Sequence, residues 1–178
     1  MNFPPNDSKT PNGNKYFLFL GILIFIQFFL FTFYGFWRHL NYLSSINDLG
    51  HFDQAIWGFL KSSPFLNTDI VNQKISRLGI HFDPILVIFV PFYYILPHVG
   101  WLILSQSLAL SIASLPIFLL ARKIFDSDKT AFFWAIIFGF NPFILNAAAW
   151  DFHPISLAVP FIGLSYLTLE TKNFRLFS

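Results

Sequence analysis

Hydrophobic positions along this chain fall into long blocks, not into the alternations or narrow stripes of a water-soluble domain. The first block runs from Tyr16 to Trp37, with Gln27 and Thr32 as its only markedly polar side chains. It is too long for a signal-peptide core of about 7–15 residues, and Phe36-Trp37-Arg38 closes it like an interface anchor. It therefore predicts a first transmembrane helix. Further blocks follow at 84–97, 99–121, 131–150 and 154–170, and one long polar stretch, 38–83, separates them from the first. Ahead of them, residues 1–15 are rich in Pro, Asn and Gly and read as a disordered polar leader.

Block 84–97 differs from the others. Pro84 and Pro97 bound it and Pro91 interrupts it. At 1.5 Å per residue it reaches about 21 Å, short of a hydrocarbon core of about 30 Å, so it predicts an interfacial or re-entrant helix. Charge placement supports this. With 84–97 not spanning and the N-terminus inside, Lys9, Lys15, Arg122, Lys123, Lys129, Lys172 and Arg175 lie on the inner side. Only Arg38, Lys61, Lys74 and Arg77 then lie outside, whereas a spanning 84–97 would leave just Lys9 and Lys15 within. The positive-inside rule selects the first arrangement.

The expected fold class is all-α transmembrane. Residues 16–178 form a single membrane domain of four spanning helices at about 16–37, 99–121, 131–150 and 154–170, with both termini cytoplasmic. Loop 38–83 and the turn 150–153 then share the extracytoplasmic face. Within that loop, Leu49, Phe52, Ile56, Phe59 and Leu60 follow helical spacing, which predicts an amphipathic surface helix over 48–60.

Composition narrows the function. Of 178 residues, 55% are hydrophobic and 11% charged, against about 25% charged in soluble domains. Lipid must be the solvent for most of the chain. A net charge of +2 without a basic run excludes nucleic acid as a partner. The absence of cysteine excludes disulfides, thiolate metal sites and a thiol nucleophile.

The candidate chemistry is a repeated triplet. His51-Phe52-Asp53 recurs as His81-Phe82-Asp83 and, reversed, as Asp151-Phe152-His153. Each has a plainer reading. Asp83 before Pro84 fits a helix N-cap, Asp151 to Pro154 a solvated turn, and Asn47 or Asp48 a cap for the surface helix. Asp53 stands apart: at 100° per residue it falls in the apolar half beside Leu49 and Leu60, where a carboxylate needs a partner or a task. Lys74, Arg77 and His81 form a basic cluster that either meets a lipid phosphate or is simply solvated. Gln106 reads as a bond to a neighbouring helix, and His98, after Pro97, as structural.

An acidic residue in the first external loop, just after the first helix, resembles the arrangement of GT-C glycosyltransferases, which take sugars from polyprenyl-phosphate carriers. Asp48 to Gln54 sits where that superfamily has its first-loop acidic motif. His81-Phe82-Asp83-Pro84 and the apolar segment after it look like its His/Lys-Pro-Pro-Leu segment. Leu119 to Phe125 is similar to its leucine-rich helix ending in Ala-Arg-Arg, and Asn141-Pro142 through Pro154 to its helix pair with a second external Asp. More closely, Asp-Leu-Gly-x-Phe-Asp-Gln, His-Phe-x-Pro-Ile and Asp-Phe-His-Pro resemble a family of predicted bacterial multi-pass membrane proteins of unknown function, grouped with that superfamily.

The resemblance implies a GT-C-like N-terminal part in the bacterial cytoplasmic (inner) membrane. Asp48 would be the general base on the acceptor hydroxyl, and Asp53 or Asp151 would orient the acceptor or stabilise the transition state. His81, with Lys74 or Arg77, would neutralise the departing phosphate, and His51, Asp83 and His153 would also contact substrate. The implied partners are membrane lipid and a polyprenyl-phosphate-linked sugar donor. Leu49 stands where a second acidic residue is common, so no cofactor is certain and a divalent metal is only an option. Superfamily members have many more spanning helices, which implies a fragment inactive alone; Phe174 to Ser178 ends just after a helix, as a fragment would.

Three other readings compete. Asp/His pairs could serve as ion or proton sites in a transporter or channel component, although the spans carry almost no ionisable residue at mid-depth. Asp and His ligands permit a divalent-metal site at the outer surface. The third reading is a non-catalytic membrane scaffold. The oligomeric state stays open.

Overall fold

In the first apolar block a run of Leu, Ile and Phe, interrupted by few polar side chains, gives a helix, and it forms α1, Gly13–Leu40. The structure is a computed structural model that describes residues 13–68 and 73–171. Most of the expected leader lies outside the described residues, but Gly13 to Lys15 already belong to α1. Lys172 and Arg175 also lie outside them. Large side chains such as Phe25, Phe29 and Phe33 are exposed along α1, as lipid contact requires.

The second long apolar run, Gly100–Phe125, is one span made of α5 (Gly100–Ile112) and α6 (Ser114–Phe125). The ladder breaks at Ala113 because Pro116 has no amide to donate to the Ile112 carbonyl four residues earlier. Block 131–150 differs from expectation in two ways. It starts earlier, at Asp128, and it is not a straight helix but a pair, α7 (Asp128–Gly139) and α8 (Pro142–Ala149), bent by 46°. The cause is local: Asn141 caps α8 by accepting from the Phe143 and Ile144 amides, and Pro142 takes the first helical position. Among the described residues two helices are thus long and apolar enough to cross a membrane, or three if the bent pair is one span. The last apolar segment, Pro154–Glu170, is shorter and contains a 3-10 turn (Pro154–Ala158) followed by α9 (Val159–Thr171).

Helix contacts set the arrangement. α1 packs on α5 and α7, and α6 packs on α7 and α9. A Cβ on Gly35 would come within 2.7 Å of Ile103 Cγ2, so glycine is what lets α1 approach α5 at that point. One end of the bundle gathers Arg122, which lies over the Phe17 ring and pairs with Asp128, and Lys123, which bonds the Glu170 carbonyl. The other end carries the polar stretch.

That stretch is more built than a loop. A π-helical turn (Ile46–Gly50), α2 (His51–Trp57) and a 3-10 turn (Gly58–Lys61) make a nearly continuous helical run where one helix over 48–60 is expected. Its cap is Ser45, whose hydroxyl accepts from the Asn47 amide, and not Asn47 or Asp48. An unexpected hairpin follows: β1 (Leu66–Thr68) pairs antiparallel with β2 (Lys74–Ser76). Gln54 staples it to α2, donating to the Thr68 hydroxyl and accepting from the Thr68 amide, each at 2.9 Å. After a single helical turn, α3 (Arg77–Ile80), the block at 84–97 forms a 3-10 segment (Pro84–Phe89) and α4 (Val90–Ile95). Pro91 at the start of α4 accounts for the change of pitch.

These surface elements sit on a core of their own. Leu49, Phe52 and Ile56 from the helical run meet Leu86, Phe89 and Tyr93 from the short segments, and all rest on Leu102 of α5. Burial of these large apolar side chains against one another holds the polar end onto the bundle.

Candidate functional site

Two of the three triplets use their phenylalanines in the same way. Phe52 and Phe152 are buried and meet edge to face with ring centroids 5.4 Å apart, and Phe89 packs on Phe152 at 5.7 Å. This contact brings α2 against the corner between α8 and the 3-10 turn at Pro154. The third triplet does not join it, because Phe82 is 78% exposed.

Around the aromatic contact the ionisable groups take distinct environments. Asp151 is buried. Its Oδ2 accepts from the Ser45 amide at 2.6 Å and its Oδ1 lies 3.4 Å from Arg38 Nη1. Arg38 also donates to the Ala149 and Leu43 carbonyls and lies over the Trp150 ring. Both carboxylate oxygens of Asp151 are thus engaged in joining the end of α1, the 43–45 turn and the α8 corner.

Gln106 of α5 secures the same corner. Its amide nitrogen faces the Ala147, Trp150 and Asp151 carbonyls, and its oxygen accepts from the His153 amide at 2.9 Å. Chain that leaves a helix inside an apolar bundle needs such satisfaction of its backbone.

Asp48 and His153 face one another. Asp48 Oδ1 lies 3.7 Å from His153 Nε2, and both side chains are partly open to solvent. His153 Nδ1 is 3.0 Å from the Asp151 carbonyl, which can only accept, so Nδ1 carries a proton. A neutral His153 therefore presents the Nε2 lone pair toward Asp48. An acidic and a basic acceptor sit side by side with room for a shared proton.

Asp53 finds the partner that its apolar position demands. The Tyr93 hydroxyl donates to its Oδ1 at 2.6 Å. Burial, then the hydrogen bond and the charge of Asp53, push the Tyr93 phenol well above its ordinary range, so it stays a donor. Asp53 also borders a groove of about 400 Å³ shared with His39, Ser45, Leu49 and His98. His98 lines the same groove, its Nδ1 accepting from the Gly100 amide at 2.9 Å.

The expected basic cluster is not one surface. Arg77 is buried, stands over the Phe52 ring at 4.3 Å and lies 3.5 Å from Asp83 Oδ2. Asp83 makes no capping bond to the helix after it; Arg77 takes its carboxylate instead. His81 is exposed, and Lys74 borders a second groove with Trp57 and Lys61 on the far side of α2. His51 is half-buried and enters none of these ion pairs. Among the described residues no set of three or more His, Asp or Glu is placed to hold a metal ion.

Comparison with known proteins gives one result. Residues 38–178 match a family described as a predicted membrane protein. The chain belongs to this family, DUF2079. No curated protein and no solved structure matches it. The DUF2079 match begins at Arg38, the first residue of the site, and takes in all three triplets, Tyr93 and Gln106. Tyr93 and Arg38 are the site residues that sequence reasoning misses. Arg38 carries a signal, as a charge closing a transmembrane block, whereas Tyr93 is one aromatic among many.

Proposed function

We propose that this DUF2079 chain is part of a GT-C-like glycosyltransferase that takes sugar from a polyprenyl-phosphate carrier at the extracytoplasmic face. The observation that carries the reading is the pair Asp48–His153 beside Asp53 and its groove, all at one end of the bundle. Arg122, Lys123 and Lys129 at the opposite end favour placing that end in the cytoplasm. Four spans follow if Pro154–Glu170 also crosses, and the bond from Lys123 to the Glu170 carbonyl supports this by bringing its end to the cytoplasmic side.

In this reaction an acceptor hydroxyl attacks the anomeric carbon, the bond to the carrier phosphate breaks, and the hydroxyl proton must leave. Asp48 takes that proton, with His153 Nε2 beside it to share it. Asp53, held by Tyr93, orients the acceptor. Asp151, engaged by Arg38 and Ser45, keeps the corner in place and does not touch substrate. His81, exposed, is the side chain of the expected basic cluster available to meet the phosphate as its charge grows, a part taken neither by the buried Arg77 nor by Lys74, which borders the second groove. A proton relay is less well supported, since Gln27 and Thr32 are the only markedly polar side chains of α1 between Tyr16 and Trp37.

The test is sugar transfer from a radiolabelled polyprenyl-phosphate sugar to membrane acceptors, in membranes carrying the full-length protein. Asp48→Asn, which keeps shape and removes the base, abolishes transfer. Full activity of that variant would sink the reading.

A further inference from the structure

We infer that the groove between the end of α1, the 46–50 turn and the 97–99 corner binds a neutral, hydroxyl-bearing group, with Asp53 accepting from it, His98 donating to it and Tyr93 positioning Asp53. The inference rests on the transferase reading only in naming that group the sugar acceptor; the binding stands on the chemistry of the groove.

The volume of about 400 Å³ is in the range of small-molecule sites. Its polar equipment is mixed. Asp53 uses Oδ1 for the Tyr93 hydroxyl, and Oδ2 makes no bond to any described residue. His98 accepts the Gly100 amide on Nδ1, so its neutral ring carries the proton on Nε2 and offers a donor. His39 lines the same groove, and its Nδ1 is buried without a hydrogen-bond partner among the described residues. Ser44 and Ser45 also line the groove, and the apolar part of its wall comes from Ile46, Leu49, Pro97 and Val99.

This combination selects among headgroup chemistries. No Lys or Arg lines the groove, and Asp53 carries the negative charge there, so a phosphate would meet repulsion without compensation. An ammonium donates but cannot accept, and would leave the His98 donor without a partner. A hydroxyl does both. Several hydroxyls on a ring with C–H faces would match the acceptor, the donor and the apolar wall together. Tyr93 is a positioning residue: it touches Asp53, not the ligand, and fixes which oxygen faces the groove.

The experiment uses the full-length protein in phosphatidylcholine nanodiscs, whose headgroups bear no hydroxyl. Saturation-transfer NMR is run with methyl α-glucoside, methyl α-mannoside and myo-inositol, and separately with ethylammonium and methyl phosphate, which carry no alcohol hydroxyl and report through their C–H protons. At least one polyol is expected to saturate, and ethylammonium and methyl phosphate are not. Asp53→Asn and Tyr93→Phe, both near-isosteric, should each weaken the polyol by about tenfold or more, the loss expected for a hydrogen bond to a charged group. Thermal unfolding of each variant confirms that it folds. Saturation by methyl phosphate or ethylammonium, no saturation by any polyol, or unchanged affinity in both folded variants would overturn the inference. Polyol binding without sugar transfer would overturn the transferase reading and leave this site standing.

Discussion

Arg38 Nη1 lies 3.4 Å from Asp151 Oδ1, with the two side chains 13% and 4% exposed, so a largely buried ion pair ties the first helix to the α8 corner. The two partners are not equally dependent on each other. Without Arg38, Asp151 is a buried carboxylate with only the Ser45 amide to face it. Without Asp151, Arg38 still has two backbone carbonyls and the Trp150 ring. Arg38→Ala should therefore cost about 3–5 kcal/mol, and Asp151→Ala clearly less. Denaturant unfolding in detergent measures both, and equal costs would contradict the asymmetry.

Tyr93 makes a prediction at alkaline pH. Its phenol ionises above the ordinary value of about 10 because burial and Asp53 oppose the phenolate. The folded state then keeps a proton that the unfolded state releases. The stabilisation is complete below about pH 10 and is lost as pH rises beyond it. Tyr93→Phe should flatten the fall in unfolding free energy between about pH 9 and pH 11. An unchanged slope would mean that Tyr93 titrates normally.

Much of this architecture is legible in the residues, and what is not has identifiable causes. The apolar blocks and the proline-bounded segment at 84–97 reappear as helical segments because they depend on hydropathy and on missing amides, which are local properties. Asp53 is recognisable as a carboxylate in need of a partner for the same reason. Its partner is not: Tyr93 lies 40 residues away on a different element, and no period links the two. The triplets mislead where sequence cannot say which way a side chain turns. Phe52 and Phe152 point into one core while Phe82 points out, and Arg77 turns from its neighbours Lys74 and His81 to lie over Phe52.

Close packing between α1 and α5 gives a reciprocal test. A methyl group on Gly35 would fall 2.7 Å from Ile103 Cγ2, inside van der Waals contact. Gly35→Ala should destabilise the bundle by about 1–3 kcal/mol through overpacking. Ile103→Ala alone should also destabilise, by opening a cavity, whereas the double variant should recover part of both losses. Strict additivity of the two in thermal unfolding would show that the helices do not meet at this point.

Orientation is the prediction on which the transferase reading depends most directly, because a carrier-linked sugar must meet all the acidic groups on one side. The native chain has no cysteine, so a single introduced thiol reports its own location without background. Lys61 and His81 are exposed at the end that holds the triplets, and Lys129 is exposed at the opposite end, after the Arg122–Asp128 pair. In intact cells a membrane-impermeant maleimide should label Lys61→Cys and His81→Cys, and should label Lys129→Cys only after permeabilisation. Labelling of Lys129→Cys alone would invert the protein and place Asp48, Asp53 and His153 in the cytoplasm, away from an external donor. Labelling of Lys61→Cys and Lys129→Cys together would require 84–97 to cross the bilayer. That outcome would separate Asp151 from the loop residues that its carboxylate is bonded to, and the site with it.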